Sequence, residues 1–327
     1  AGPDARTQHF TNFTNDNTLN RILMTLAAAG LVACATQPAF DPATVADATG
    51  EVTRIEPLSW WTGMQTPLQL LVAGERISDY DVRIEGGRGV KATAVHKADS
   101  PNYLFVDVAV DADAAPGTYY LVFSKEGREF KAPYEIAARR EGSAERGSFT
   151  TADMIYLLMP DRFANGDPAN DSTPDTQEKA DRNAFFGRHG GDIEGIRQHL
   201  DYISSLGATV IWPTPLLLDD EPEGSYHGYA CADYYRIDPR FGTNESYRDF
   251  VAAAHKKGLK VIMDVVTNHC GTAHWWMRDL PFEDWIHQFP EYTGTNVCFS
   301  TNMDPNASKY DLNLQESGWF VPSMPDM

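Results

Sequence analysis

From Met154 to Asp264 the sequence changes its hydrophobic period in a regular alternation, and this constrains the fold more than any other feature. Short apolar runs at Met154–Met159, Ala208–Trp212 and Leu259–Asp264 read as buried strands. Between the first two, Ile193, Ile196, Leu200, Ile203 and Leu206 recur at helical spacing, which predicts a helix over 192–206. A second helix is expected over Ser246–Lys257. Strands that alternate with helices pair in parallel through right-handed crossovers. Residues 149–269 are therefore expected to form the first three strands of a (β/α)8 TIM barrel. Such a barrel needs eight strands and roughly 250 residues, so residues 150–327 are not expected to close one.

Upstream the rhythm is different. Residues 51–138 hold short alternating segments such as Leu68–Val72, Tyr103–Val108 and Tyr119–Phe123, with turn signals at Gly86-Gly87 and Pro116-Gly117. Several short strands without helical period predict an N-terminal immunoglobulin-like β-sandwich. The charged stretch 139–148 reads as a linker. From Cys270 to Met327 the period is lost, and this part reads as a long insertion after the third strand.

Residues 1–50 are set aside from the fold. Ile22–Ala33 is a twelve-residue apolar run behind Arg21. It is too short for a bilayer span of about 20 residues and fits the apolar core of a signal peptide. Its end, Leu31-Val32-Ala33-Cys34, resembles the lipobox of bacterial lipoproteins, which makes Cys34 the expected lipidation site. Residues 35–50 read as a tether. The chain is then expected to be exported and held in the periplasm or at the outer membrane, touching membrane only through its lipid. The competing reading of Ile22–Ala33 is a buried helix.

Charge narrows the partners. The 27 Lys and Arg against 46 Asp and Glu give a formal charge of -19, a field that repels phosphate backbones and argues against nucleic acid. It tolerates neutral glycans and attracts divalent cations. The cysteines Cys34, Cys231, Cys270 and Cys298 fit neither a CxxC metal site nor a dense disulfide framework.

In a β/α barrel, function collects in the loops at the C-terminal ends of the strands. The first such loop carries Asn165, Asp167, Asn170 and Asp171, four oxygen donors within seven positions, and Gly190 and Asp192 return at the next helix start. That set suits calcium, which takes six to eight oxygen ligands; it equally suits an Asx-rich turn with Asp192 as a helix cap. The second loop holds Tyr226-His227-Gly228-Tyr229, able to stack on and hydrogen-bond a pyranose or simply to pack the loop on the barrel. The third, Asp264-Val265-Val266-Thr267-Asn268-His269, projects polar groups from a strand end.

Taken together these segments resemble the α-amylase superfamily of glycoside hydrolases (family 13), and within it the cyclomaltodextrinase/neopullulanase branch. Asp264–His269 is similar to that family's first conserved region. Gly228-Tyr229, Asp233-Tyr234 and Ile237–Thr243 resemble the segment after barrel strand two. Trp60-Trp61 and Pro101–Val106 resemble the branch's N-terminal domain, and Met324–Met327 the opening of a conserved stretch in the inserted domain B.

The resemblance implies the rest. Asn165, Asp167, Asn170, Asp171, Gly190 and Asp192 would hold Ca2+. Tyr229 would stack under the sugar, His269 would hydrogen-bond it with His227 close by, and Asp264 would be a structural carboxylate. Residues 270–327 would be a domain B-like insertion, and a homodimer through the N-terminal domain is implied. The activity implied is retaining hydrolysis of maltodextrins or cyclodextrins. Its nucleophile and acid/base would lie beyond Met327, so no catalytic residue is carried onto this chain and the fragment is expected to be inactive. Competing readings are a non-catalytic glycan-binding lipoprotein and a family transglycosylase.

Overall fold

The computed structural model describes residues 52–143, 145, 147–287, 292–295 and 303–327. The run Ile22–Ala33, Cys34 and the tether that follows lie outside the described residues, as does Cys298. Among the described residues no helix is long and apolar enough to cross a membrane.

Among the described residues eight strands come first: β1 (Arg54–Glu56), β2 (Ser59–Trp61), β3 (Leu68–Ala73), β4 (Asp81–Glu85), β5 (Val90–Lys97), β6 (Tyr103–Val110), β7 (Gly117–Lys125) and β8 (Arg128–Ala137). They form two four-stranded sheets of order β1-β3-β6-β5 and β2-β8-β7-β4. Alternation builds the shared core: Leu70, Val72, Leu104 and Val106 from one sheet meet Leu121, Phe123, Tyr134 and Ile136 from the other. Each such fully buried aliphatic contributes about 1.5–3 kcal/mol relative to exposure.

The run Leu70-Leu71-Val72-Ala73 breaks that alternation for a physical reason. Leu71 and Ala73 point out of the sandwich and are covered, with Tyr103, by Trp275 and its neighbours Trp276 and Trp285. The same face is pinned by polar contacts. Ser100 Oγ and Asn102 Nδ2 donate to Asp279 Oδ2 at 2.9 and 2.8 Å, and the Tyr103 hydroxyl donates to the Asp279 carbonyl at 2.6 Å. Arg54 adds a bidentate pair with Asp233, at 2.9 and 2.7 Å.

The remainder opens with β9 (Ile155–Leu158), β10 (Val210–Pro213), the two-stranded excursion β11 (Leu217–Leu218) and β12 (Asp233–Ile237), and β13 (Lys260–Val261). β13, β10 and β9 lie side by side in that order, all parallel. Among the described residues the helices are α1 (Pro160–Phe163), α2 (Ile193–Gln198), α3 (Leu200–Ser205), α4 (Asn244–Lys256) and α5 (Lys309–Ser317). Ile193, Ile196, Leu200, Ile203, Phe250 and Ala254 turn inward onto Leu158 and Ile211. α4 starts at a reciprocal cap: Ser246 N donates to Thr243 Oγ1 at 3.1 Å and Thr243 N to Ser246 Oγ at 2.8 Å.

Four expectations need correction. The first strand is covered on one face only: Tyr156 and Leu158 pack on the helices, whereas Leu157 is 56 % exposed. The third strand is regular only over Lys260–Val261, although Ile262 N still donates to Ile211 O at 2.9 Å. The helix over 192–206 is interrupted at His199, whose Nδ1 lies 2.7 Å from the Gly195 carbonyl, a local contact that competes with the helical ladder. Residues after 270 are not aperiodic throughout. α5 forms behind the cap of Ser308 Oγ, which accepts from Asp311 N at 3.0 Å, and it buries no residue, so hydrophobic spacing could not reveal it.

Candidate functional site

The strand ends place the second and third loops against each other. Just past β13, Asp264 Oδ2 accepts the indole N–H of Trp212, from β10, at 3.0 Å and lies 3.4 Å from the Tyr229 hydroxyl. Burial, and then the Asp264 carboxylate beside it, push the Tyr229 phenol up, so it stays protonated and donates.

Tyr229 is aimed by the turn before it. Ser225–His227 forms a single 3-10 turn. Gly228 follows at φ 79°, where an added Cβ would sit 2.1 Å from the Pro215 carbonyl oxygen, so only glycine fits. The Tyr229 N–H donates to His227 Nδ1 at 2.9 Å, which leaves the proton of neutral His227 on Nε2. His227 Nδ1 also lies 3.6 Å from Asp219 Oδ2. Burial lowers the histidine and raises Asp219 well above the usual carboxylate range, so both shifts oppose an ion pair at that contact.

His269 closes the group. Its Nε2 donates to the Tyr229 carbonyl at 3.2 Å, Nδ1 accepts from Asn268 Nδ2 at 3.2 Å, and the ring stacks on Phe320. Only 6 % of His269 is exposed, and burial lowers its pKa. The structure therefore brings His227, Tyr229, Asp264 and His269 into one hydrogen-bonded group, in which both nitrogens of His269 are already engaged within the protein.

Beneath the turn lies a buried ionic network that the sequence did not announce. Arg240 reaches Asp238 through Nε at 2.9 Å and Nη2 at 2.8 Å, and donates to the carbonyls of Glu178 and Asp219. Arg188 donates to Ser225 O at 3.0 Å, and Ser225 Oγ donates to Glu178 Oε2 at 2.6 Å. Glu221 accepts from Thr272 Oγ1 and Ala273 N, tying the second loop to the residues after His269. Asp238 and Arg240 lie in the segment Ile237–Thr243 singled out by resemblance, with no ionic role read from it; Glu178 and Glu221 carried no local signal.

The first loop folds around Asp192. This carboxylate caps α2 by accepting Gly195 N at 2.6 Å, and also accepts Gly166 N at 3.0 Å and Asp167 N at 2.8 Å. Asp167 Oδ1 accepts Ala169 N at 3.1 Å, an Asx turn. Asn165 Nδ2 donates to Asp171 Oδ1 at 2.6 Å, and Gly190, at φ 84°, packs against both. The six residues named for the metal fall into two contacting groups, Asn165, Asp171 and Gly190 in one, and Asp167, Asn170 and Asp192 in the other. Among the described residues no group of three or more His, Cys, Asp or Glu side chains is placed to hold a metal. Two amide oxygens of this loop, Asn165 Oδ1 and Asn170 Oδ1, are buried with no hydrogen-bond partner.

Three clefts in the described residues lie away from Tyr229. One is at the joint of the sandwich with β12, one beside Arg162 and Asn165, and one along the sandwich from Trp60 to Val110.

Comparison with known proteins agrees with this arrangement. The family model for the catalytic domain of alpha amylase matches residues 157–319, and that for the N-terminal domain of cyclomaltodextrinase matches residues 54–140. A cyclomaltodextrinase of Geobacillus thermopakistaniensis (strain MAS1) is 35 % identical over 227 residues, covering 63 % of this chain and 35 % of that protein. Neopullulanase 2 of Thermoactinomyces vulgaris is 38 % identical over 169 residues, 47 % of this chain and 28 % of that protein. A cyclomaltodextrinase of Thermoanaerobacter pseudethanolicus (strain ATCC 33223 / 39E) is 37 % identical over 191 residues, 51 % of this chain and 32 % of that protein. The matched regions amount to 28–35 % of the length of these relatives. From the sandwich joined to a parallel β/α sheet, the two family matches and these relatives together, the chain belongs to the α-amylase family, in its cyclomaltodextrinase/neopullulanase branch.

Proposed function

We propose that these residues are the N-terminal part of an α-glucan or cyclodextrin hydrolase, a retaining α-glycosidase, and that they build one half of its sugar pocket. The observation that carries this reading is the convergence of Trp212 and Tyr229 on Asp264, with His269 bound to the Tyr229 backbone. The names of the relatives, cyclomaltodextrinases and a neopullulanase, support the substrate class. In such a pocket the Tyr229 ring offers its face to a pyranose, Asp264 holds the ring in place, and His269 locks the two loops together. Retaining hydrolysis needs two carboxyl groups about 5–5.5 Å apart. The part proposed for residues 1–327 is to bind and orient the sugar.

The finer architecture is read the same way. An immunoglobulin-like sandwich is supported by the order β1-β3-β6-β5 opposite β8-β7-β4, which parallels the ABED and GFC sheets of that fold. Three adjacent strands of a (β/α)8 barrel are supported by the parallel order β9-β10-β13 and by the exposed Leu157, since parallel sheets are normally covered on both faces. Residues 270–327 are the domain B-like insertion. Ca2+ held by Asn165, Asp167, Asn170, Asp171, Gly190 and Asp192 is supported by the two unpartnered amide oxygens; the ion would clamp the first loop and take no part in bond cleavage. Export as a periplasmic or outer-membrane lipoprotein through Cys34, and dimerisation through the sandwich, complete the proposal on sequence grounds.

The test is titration calorimetry of the chain with β-cyclodextrin and maltoheptaose, beside an assay of reducing-sugar release. Binding that weakens at least tenfold in Tyr229→Ala, with no sugar released, is expected. Affinity indifferent to Tyr229, or measurable cleavage by residues 1–327, would sink the reading.

A further inference from the structure

Two buried cysteines lie behind the sugar group and take no part in it. Cys231 follows Tyr229 by two residues, and Cys270 follows His269 directly. Both are free thiols in this structure, 3 % and 0 % exposed. A buried free cysteine ordinarily serves as a small apolar side chain. What sets these two apart is that they sit on facing segments.

The backbones that carry them run against each other. The Gly271 N–H donates to the Cys231 carbonyl at 2.8 Å, and His269 Nε2 donates to the Tyr229 carbonyl at 3.2 Å. A Cβ added to Gly271 would sit 2.5 Å from the Ala230 carbonyl oxygen. Between the two cysteine α-carbons lie only the Cys231 carbonyl, the 2.8 Å hydrogen bond and the Gly271 nitrogen. Covalent geometry keeps such a path under about 8 Å even at full stretch, and a disulfide spans roughly 4.4–6.8 Å between α-carbons.

The sulfurs share surroundings as well. The Tyr234 hydroxyl donates to the His269 carbonyl at 3.0 Å, and negative charge on either sulfur would push that phenol up. Both thiols are thus within electrostatic reach of one hydroxyl. Among the described residues no group of three or more His, Cys, Asp or Glu side chains is placed to hold a metal. Bond formation between the sulfurs is the chemistry left to the pair.

We infer that Cys231 and Cys270 form a disulfide that ties the loop of Tyr229 to the loop of His269. The reaction is exchange with a small disulfide oxidant such as oxidised glutathione. One cysteine, as thiolate, attacks the oxidant, giving a mixed disulfide and releasing one thiol. The other attacks that mixed disulfide, closes the protein S–S bond and releases the second thiol. The protein gives up two electrons and two protons, and the oxidant takes up both. Burial raises both thiols, Cys270 to about 12, so thiolate is scarce in the closed fold. Exchange is therefore fastest before the two loops close over the pair. The export proposed from the sequence would place the chain where such oxidants prevail. The effect on sugar binding rests on the proposed function; the bond itself does not.

The experiment is refolding of the chain in a glutathione redox buffer or in dithiothreitol, with Cys34→Ser and Cys298→Ser so that no other thiol competes. A peptide joining Cys231 to Cys270 is expected in unreduced mass spectra, with loss of both alkylatable thiols. The oxidised form should melt about 5 °C or more above the reduced form, because the loop closed from Cys231 to Cys270 restricts the unfolded chain. Cys231→Ala and Cys270→Ala should each abolish that difference; comparing the oxidised with the reduced chain needs neither variant. Two free thiols after oxidative refolding, a separate glutathione adduct on each cysteine, or a cross-linked form that melts below the reduced one overturns the pairing. The oxidised chain is expected to bind β-cyclodextrin about threefold more tightly, since the two loops are held together before the sugar arrives. Equal affinities with the linked peptide present refute the coupling to the pocket. Absence of binding in both forms, with the linked peptide present, counts against the proposed function and leaves the disulfide standing.

Discussion

His269 Nε2 lies 3.2 Å from the carbonyl oxygen of Tyr229, so two residues from different strand-end loops are joined by the ring of one and the backbone of the other. With His269 Nδ1 held by Asn268, the histidine acts as a strut between loops, and the Tyr229 ring is left to be placed by Asp264.

That placement depends on Trp212. In Trp212→Phe the Asp264 carboxylate loses the indole donor at 3.0 Å, and hydrogen bonds to charged groups are among the stronger ones. A loss of about 1–3 kcal/mol in urea unfolding is expected, together with weaker β-cyclodextrin binding. Unchanged affinity would show that Asp264 does not need Trp212 to hold Tyr229.

Arg240 and Asp238 are both about 1 % exposed or less and bind each other through two nitrogens. Removing Arg240 leaves Asp238, among the described residues, with only the longer ionic contact to Arg188 Nη1, at 3.5 Å. Arg240→Met is expected to cost about 3–5 kcal/mol, measured by chemical denaturation. Arg240→Lys, which keeps a positive charge beside Asp238, should lose less, and a lysine variant as unstable as Arg240→Met would contradict the pairing.

Calcium is expected to raise the thermal midpoint of the chain, by the equivalent of about 2.7 kcal/mol at one hundred times Kd. Asp167→Ala should abolish the increment. Melting curves that coincide with and without chelator would remove the metal from the first loop and leave it as an Asx-rich turn.

His274 is 1 % exposed, and burial holds its pKa down to about 3. Because the folded value lies below that of an unfolded histidine, near 6.5, the unfolded chain takes up the proton first. Stability is therefore lost as pH falls from about 6.5 toward 3. Burial pushes His227 and His269 in the same direction, while the raised Asp219 acts oppositely at low pH. His274→Asn keeps an acceptor for the Trp276 N–H, which His274 Nδ1 now receives at 3.2 Å, and removes the titration. Its unfolding free energy should fall less steeply between about pH 6.5 and 4.5 than that of wild type. Parallel slopes would place the proton elsewhere.

Local pattern was enough where one face of an element is buried by its own domain. Leu68–Val72, Tyr103–Val108 and Tyr119–Phe123 fall within β3, β6 and β7, and the spacing of Ile193 to Ile203 becomes the buried face of α2 and α3. It failed at Leu157, because an apolar run does not say which faces will be covered, and at α5, which buries nothing.

The sequence by itself determined the alternation of strands and helices, the loop chemistry and the family, since these depend on residues within a few positions of each other. Only the tertiary structure decided that Leu71 would meet Trp275, that Glu178 would hold Ser225, that Arg54 would grip Asp233, and that Tyr134 would keep an unpartnered hydroxyl. Those pairings span from 47 residues, Glu178 to Ser225, to 204, Leu71 to Trp275. They are chosen by how the sheets and loops pack, which no short-range period records.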